Sequence, residues 1–214
     1  MGLKRYDHII WDWNGTLLDD AWLCVEVMNK MLAERKLPLI ILDIYRTIFN
    51  FPVKEYYRVL GFNFDQEPFE EVGMEFMILY NQRQKECNLH PEVPNLLKII
   101  NELGYSQSIL SAREQSELRA ETKEHEIDHF FKLVYGLDDH YAHGKTDVGI
   151  QLLNNLRIPK ERLLFIGDTV HDSEVGEELG IDCILIPNGH HSVERLKKCS
   201  HPVIDSLSEL LTLL

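Results

Sequence analysis

The stretch His8-Ile9-Ile10-Trp11-Asp12-Trp13-Asn14-Gly15-Thr16-Leu17 decides how this chain is read. Ile9 to Trp11 form a short apolar run, the pattern of a buried strand. Asn14-Gly15-Thr16 break the run, so Asp12 falls at the strand's carboxyl end. In open α/β sheets, ligands bind in the crevice beyond those ends. A carboxylate there suits a nucleophile or a metal ligand, although Asp followed by Asn-Gly also describes an ordinary turn. A second stretch repeats the arrangement: Leu163-Leu164-Phe165-Ile166-Gly167-Asp168-Thr169-Val170-His171-Asp172. Two apolar strands that both end in carboxylates are hard to explain as surface decoration.

With these residues in view, the chain resembles the haloacid dehalogenase superfamily of hydrolases, in particular its phosphoglycolate-phosphatase-like branch. The first motif of that family, Asp-x-Asp-Gly-Thr, corresponds to Asp12-Trp13-Asn14-Gly15-Thr16, with a departure at Asn14. The second, a Ser or Thr at a strand end, corresponds to Ser111 in Ser108-Ile109-Leu110-Ser111. The third, a lysine, fits Lys145 in His143-Gly144-Lys145-Thr146-Asp147. The fourth fits Gly167-Asp168-Thr169-Val170-His171-Asp172. All four occur in order across nearly the whole chain.

The pattern along the chain supports an α/β fold. Asp19 and Asp20 suit the start of a helix, and Trp22, Val25, Met28 and Leu32 recur at helical spacing. Helical patterns continue to Glu86, including one from about Glu67 with Phe69, Val72, Phe76 and Leu79 on one face. After His90, strands and helices alternate. Strands are expected at Gln107 to Leu110, Leu133 to Tyr135, Leu163 to Ile166 and Cys183 to Ile186, and a docking helix at Leu207 to Leu214. Such alternation implies a doubly wound parallel sheet. The expected architecture is a five-strand Rossmann-like core from residues 1–17 and 87–214. The resemblance implies that the all-helical block at 18–86 is an inserted helical-bundle cap.

Hydrolysis of a phosphate ester through a covalent intermediate needs an oxygen nucleophile that is ionised at neutral pH, which Asp12 provides without an activating base. A cation must offset the repulsion between two anions. Asp12, Asp168 and Asp172, with the Asn14 main-chain carbonyl that the family arrangement implies, give hard oxygen ligands suited to Mg²⁺. Asp172 falls one helical turn after Asp168, so both can face one site. Lys145 would balance charge on nucleophile and phosphoryl group, and Ser111 would hydrogen-bond a phosphoryl oxygen. Backbone N–H groups around Asn14 to Thr16 and at Ala112 would complete the oxygen cradle, with Thr16 and Ala112 as substrate-binding positions. The loop Phe51-Pro52-Val53-Lys54 would meet the non-phosphate end of the substrate, as cap loops do in the resembled branch.

Asn14 is the main departure. In family phosphatases the corresponding Asp protonates the leaving group and then activates water. An amide cannot titrate, and losing such a group typically costs about 10²–10⁴ in rate. Three readings follow: a slow Mg²⁺-dependent phosphatase, a phosphate-ligand binding protein that has lost turnover, or a phosphonatase-like C–P hydrolase. The last would need a cap lysine for a Schiff base, with Lys54 as the available position. His171 is a candidate for the missing proton donor, its pKa lying in the useful range. His190 and His191 read as loop residues after the fifth strand.

Composition sets the partners. Lys and Arg total 22 against 35 Asp and Glu, a formal charge of −13. That balance disfavours nucleic acids and anionic membranes, which demand clustered cations. It leaves room for a small phosphorylated metabolite, whose field is set locally. Cys24, Cys87, Cys183 and Cys199 show no Cys-x-x-Cys spacing, and no long apolar segment is present, so a reduced cytoplasmic protein without a signal peptide is expected, as monomer or homodimer.

Overall fold

A computed structural model describes residues 5–137 and 144–214. Residues 1–4, at the start of the expected core, and His143 of the lysine motif lie outside the described residues.

The central sheet has five strands, all parallel. In chain order they are β1 (His8–Trp11), β4 (Ser106–Glu114), β5 (Leu133–Leu137), β6 (Leu163–Gly167) and β7 (Asp182–Leu185). They lie side by side as β5-β4-β1-β6-β7. Side chains alternate between the faces, as the pleat demands. Ile9, Trp11, Leu164 and Ile166 join one apolar cluster, while Ile10, Leu163, Phe165 and Leu185 join another. Helices α5 (Val93–Glu102) and α6 (Gln115–Glu124) cover the first face. On the second lie α7 (Lys145–Leu156), α8 (Val170–Leu179) and the short α9 (Val193–Leu196). The doubly wound parallel core thus has the form read from the apolar runs.

Register explains why the site forms where it does. Trp11 of β1 stands opposite both Ile109 of β4 and Ile166 of β6. Asp12, Ser111 and Asp168 therefore emerge one or two residues beyond a common level, at about 3.3 Å per residue. The chain leaves β1 toward different neighbours on either side, so this level is the switch point where a crevice opens.

The segment between the first two core strands carries α1 (Ala21–Glu34), α2 (Leu42–Ile48), α3 (Val53–Val59), α4 (Phe69–Arg83) and a 3₁₀ turn at Gln84–Glu86. It differs from the expected block in one respect. Leu18–Asp19 form a short strand, β2, antiparallel to β3 (Asn88–Leu89). This two-stranded ribbon ties the entry of the helical segment to its exit, so helix begins at Ala21 and not at residue 18. Apolar residues of the segment, including Met28, Tyr45, Tyr56 and Val72, belong to the same buried cluster as Trp11 and Ile166.

Other boundaries shift for local reasons. β4 runs on through Ser111 to Glu114, with an irregularity in its pairing after Leu110. α6 starts at Gln115 because the Glu114 carboxylate caps it, accepting from the N–H groups of Ser116 and Glu117. The C-terminal segment Leu207–Thr212 is a 3₁₀ helix that buries Leu207 and Leu210. No helix of the described residues is long and apolar enough to cross a membrane.

Candidate active site

Asp12 follows directly from β1 and is 6% exposed. Its backbone N–H still bonds the sheet, donating to the Ile166 carbonyl at 2.9 Å. Lys145, the first residue of α7, is buried and donates Nζ to Asp12 Oδ1 and, at 2.6 Å, to Asp172 Oδ1. Asp168 is fully buried. Its Oδ1 accepts from the Thr16 hydroxyl at 2.9 Å, and its Oδ2 from the His190 backbone N–H at 2.6 Å. The remaining oxygen of Asp172 closes a capping box on α8, taking the Thr169 hydroxyl at 2.6 Å and the Thr169 N–H at 3.0 Å. Capping and site-building are carried by two oxygens of one carboxylate.

One carboxylate oxygen each from Asp12, Asp168 and Asp172 lies within 4.8 Å of the others. Burial pushes the Asp12 pKa well above the ordinary carboxylate range, and the two neighbouring aspartates push the same way against Lys145. Burial likewise raises Asp168. For Asp172, burial is outweighed by Lys145, which holds its carboxyl below the usual value. Three buried hard-oxygen donors facing a single lysine are a donor set that fits Mg²⁺.

Close backbone approach makes this packing possible. Gly15 has φ +78°, and a Cβ there would lie 2.4 Å from Asp168 Oδ2 and 2.6 Å from the His190 ring. A Cβ on Gly189 would lie 2.1 Å from the same oxygen. Only residues without side chains allow two loops to close over Asp168.

A cavity of about 430 Å³ adjoins the site. It is lined from the sheet end by Asp12, Ser111, Ala112 and Lys145, and from the helical segment largely by aromatic side chains. Ser111 Oγ accepts the Arg113 N–H at 3.0 Å, which leaves the hydroxyl proton free to donate. Thr16 was expected to bind substrate. The residue is fully buried and does not line the cavity, and its hydroxyl donates to Asp168, while the role expected of it was its backbone N–H. Lys54 was also expected there. Helix α3 turns it away, and its ammonium lies over the rings of Phe64 and Phe69 at 5.7 and 5.5 Å. Lys145 is the lysine lining the cavity among the described residues, so the phosphonatase-like reading loses its Schiff-base position. His171 lines the cavity, with its ring 4.9 Å from that of Phe51 and Nδ1 3.5 Å from Glu174.

The side chain of Asn14 points into a network that sequence reasoning missed. Its amide donates to Asp20 Oδ2 at 2.9 Å and to the Tyr80 hydroxyl at 3.2 Å. Asp20 also accepts from the Gly15 N–H at 2.9 Å and from Tyr80 at 2.8 Å, while His190 Nε2 lies 3.3 Å from it. Read as a helix cap, Asp20 makes no side-chain cap bond at all. Burial would raise its pKa, but His190, Asn14 and Tyr80 outweigh that and hold it low. Burial would lower His190, yet Asp20, with Asp168 and Asp12 behind it, pushes His190 up to about 9. The network therefore holds an ion pair, His190⁺ and Asp20⁻, beside the acidic cluster. Arg113 is a further residue that spacing did not reveal: buried next to Ser111, it is held by Glu121 at 2.8 Å and Glu117 at 3.3 Å.

Comparison with known proteins agrees with the motifs. The sequence profile of the haloacid dehalogenase-like hydrolases matches residues 9–186. The tyrosine-protein kinase PtkA of Mycobacterium tuberculosis is 26% identical over 211 residues, covering 95% of this chain and 72% of the relative. A phosphoglycolate phosphatase of Pseudomonas syringae is 24% identical over 212 residues, covering 95% and 78%. Among solved structures, a haloacid dehalogenase-like hydrolase of Streptococcus pneumoniae superposes with a TM-score of 0.85 at 23% identity, covering 99% of both chains.

Proposed function

The chain belongs to the haloacid dehalogenase-like hydrolase family, and from that premise we propose that it is a Mg²⁺-dependent phosphatase acting on a small phosphomonoester through an aspartyl-phosphate intermediate. The observation that carries the reading is the convergence of Asp12, Asp168 and Asp172, with Lys145 bridging the first and last. Relatives named as phosphatases support it. Held by these three carboxylates and the Asn14 carbonyl, a magnesium ion would supply the positive charge that lets the nucleophile approach a phosphate.

The chain's own residues do the rest. An Asp12 oxygen forms the new bond to phosphorus while the ester P–O bond breaks, and the departing oxygen takes up a proton from solvent water. Water then cleaves the acyl phosphate, returning that proton to solvent, and restores Asp12. Lys145 stays protonated, because its two aspartates more than offset its burial. Ser111 donates its free proton to a phosphoryl oxygen, beside the Ala112 backbone. Helices α1–α4 act as the cap that closes over the crevice and excludes water. The four cysteines are free thiols, in keeping with the cytoplasmic location we assign.

Turnover of a phosphomonoester panel with and without Mg²⁺ tests the proposal. Hydrolysis that survives chelation or the Asp12→Asn substitution would overturn it. Asn14 supports a second reading, a phosphate-ligand binding protein without turnover, because its amide is committed to Asp20 and cannot deliver a proton. Tight Mg²⁺-dependent binding with no product over long incubation would favour that reading.

A further inference from the structure

The size and lining of the cavity carry information about the substrate's other end. At about 430 Å³, it falls within the range of about 300–1,000 Å³ seen for pockets that enclose drug-sized ligands. A two-carbon ester would leave most of it unfilled. Its wall from the helical segment is lined by Tyr45, Phe49, Tyr56, Phe76 and Met77. Tyr45 stacks on Phe49 at 5.0 Å, and Tyr56 meets Phe49 edge-on at 5.2 Å. The buried Tyr56 hydroxyl has no hydrogen-bond partner among the described residues, a sign of how apolar this wall is.

Charge points the same way. Among the described residues, every cationic group lining the cavity is already engaged. Lys145 holds Asp12 and Asp172, Arg113 holds Glu121 and Glu117, and His190 is paired with Asp20. His171 lies 3.5 Å from Glu174. Lys54 is turned onto Phe64 and Phe69. Glu70 and Glu114 add negative charge to the lining. A second anionic group on the leaving group would be desolvated here with no uncommitted cation among the described residues to receive it.

We propose that the leaving group is an uncharged, largely hydrocarbon alcohol of at least aromatic-ring size, held against the Tyr45–Phe49–Tyr56 wall, and that small esters with a second anion, such as phosphoglycolate, are poor substrates. This rests on the phosphatase reading and narrows its substrate class.

The test compares 2-naphthylmethyl phosphate, ethyl phosphate and phosphoglycolate with Mg²⁺ and the full chain. All three are alkyl esters, so leaving-group reactivity does not favour the aromatic one. The naphthylmethyl ester is expected to show a kcat/KM at least about tenfold above the other two, the scale on which apolar pockets discriminate. Gly73 of α4 lines the cavity, and a Cβ there would meet only Phe69, at an ordinary 3.9 Å. Gly73→Leu should therefore fill the space and bring the ratio toward one. Equal rates, or a preference for phosphoglycolate, would overturn the proposal. Should no ester be turned over, including nitrophenyl phosphate, the phosphatase reading itself fails. The apolar site is then read by thermal shift. A larger shift with naphthylmethyl than with ethyl phosphate, lost in Gly73→Leu, supports it, and equal shifts overturn it.

Discussion

Asn14 donates its side-chain amide to Asp20 Oδ2 at 2.9 Å, so the residue that departs from the family motif is matched to a buried carboxylate six positions on. The family's aspartate placed at position 14 would set two carboxylates within hydrogen-bonding distance, and one would have to hold a proton. Asn14 and Asp20 read as a compensated pair.

The first expectation follows from that pair. Asn14→Asp restores a titratable group and should raise hydrolysis of alkyl phosphates by up to about 10²-fold where protonation limits the rate. It should also lower stability by about 1–3 kcal/mol, because a buried donor is replaced by a competing acceptor. The exchange Asn14→Asp with Asp20→Asn keeps one amide and one carboxyl in contact, so it should retain the gain in rate and recover most of the stability. Alkyl phosphate rates and thermal denaturation of the three variants check this. A double variant less stable than Asn14→Asp alone would break the pairing argument.

Magnesium should stabilise the folded chain even without substrate. Three buried aspartates face one lysine, so a bound divalent cation relieves repulsion that the unfolded chain does not feel. At a concentration one hundred times Kd, the gain should be about 2.7 kcal/mol. Differential scanning calorimetry with Mg²⁺ and then with chelator measures it, and Asp168→Asn should abolish most of the response.

Glycine substitutions separate close packing from mere loop placement. Gly15→Ala places a methyl group 2.4 Å from Asp168 Oδ2 on a backbone at φ +78°. It should cost about 1–2 kcal/mol from the backbone conformation alone and also remove the magnesium response. A Cβ at Gly144, just ahead of Lys145, would meet none of the described residues within 4 Å, so Gly144→Ala should leave both properties near wild type. Equal effects from the two would show that Asp168 is not held as described.

Acid stability should depend on His8, which lies in β1 away from the cavity. Burial, with a smaller push from Lys132, lowers its pKa from 6.5 to about 4. The unfolded chain therefore binds a proton on His8 in a window where the folded chain does not. Stability from this group is present above pH 6.5 and is lost as pH falls toward 4, with a slope of up to about 1.4 kcal/mol per pH unit. His8→Asn should flatten the difference between denaturation midpoints measured at the two ends of that window. An unchanged slope would place the acid sensitivity elsewhere.

What sequence made legible, and what it did not, divides by the range of the interactions involved. Ile9 to Trp11 and Leu163 to Ile166 could be read as buried strands because every residue in them is apolar, whatever it packs against. Asp12 and Asp168 could be read because strand ends place them, whereas Ser111, within β4, and Lys145, opening α7, could be read only through the motifs of the resembled family. Lys54 was misassigned because spacing fixes a position along the chain and not the direction of a side chain. Asp20 looked like a helix cap and His190 like a loop residue, since their pairing spans 170 residues and depends on two loops closing over Asp168. The aromatic wall was invisible for a related reason: its rings sit at ordinary helical spacing, and only the packing of α1–α4 turns them toward one space.

The ribbon between Leu18–Asp19 and Asn88–Leu89 has a consequence for how such a protein can diverge. Its two strands hold the points where the chain leaves and re-enters the sheet side by side, so their separation is independent of what lies between. Under that constraint, doubling the length of the intervening segment adds only about 0.6 kcal/mol of closure entropy if it is treated as a flexible loop. The strand register that sets Asp12 beside Asp168 is untouched by such a change. The segment between the two ribbon strands can therefore change length at little cost, provided that Asp20 and Tyr80, which hold the Asn14 amide from within it, keep their places.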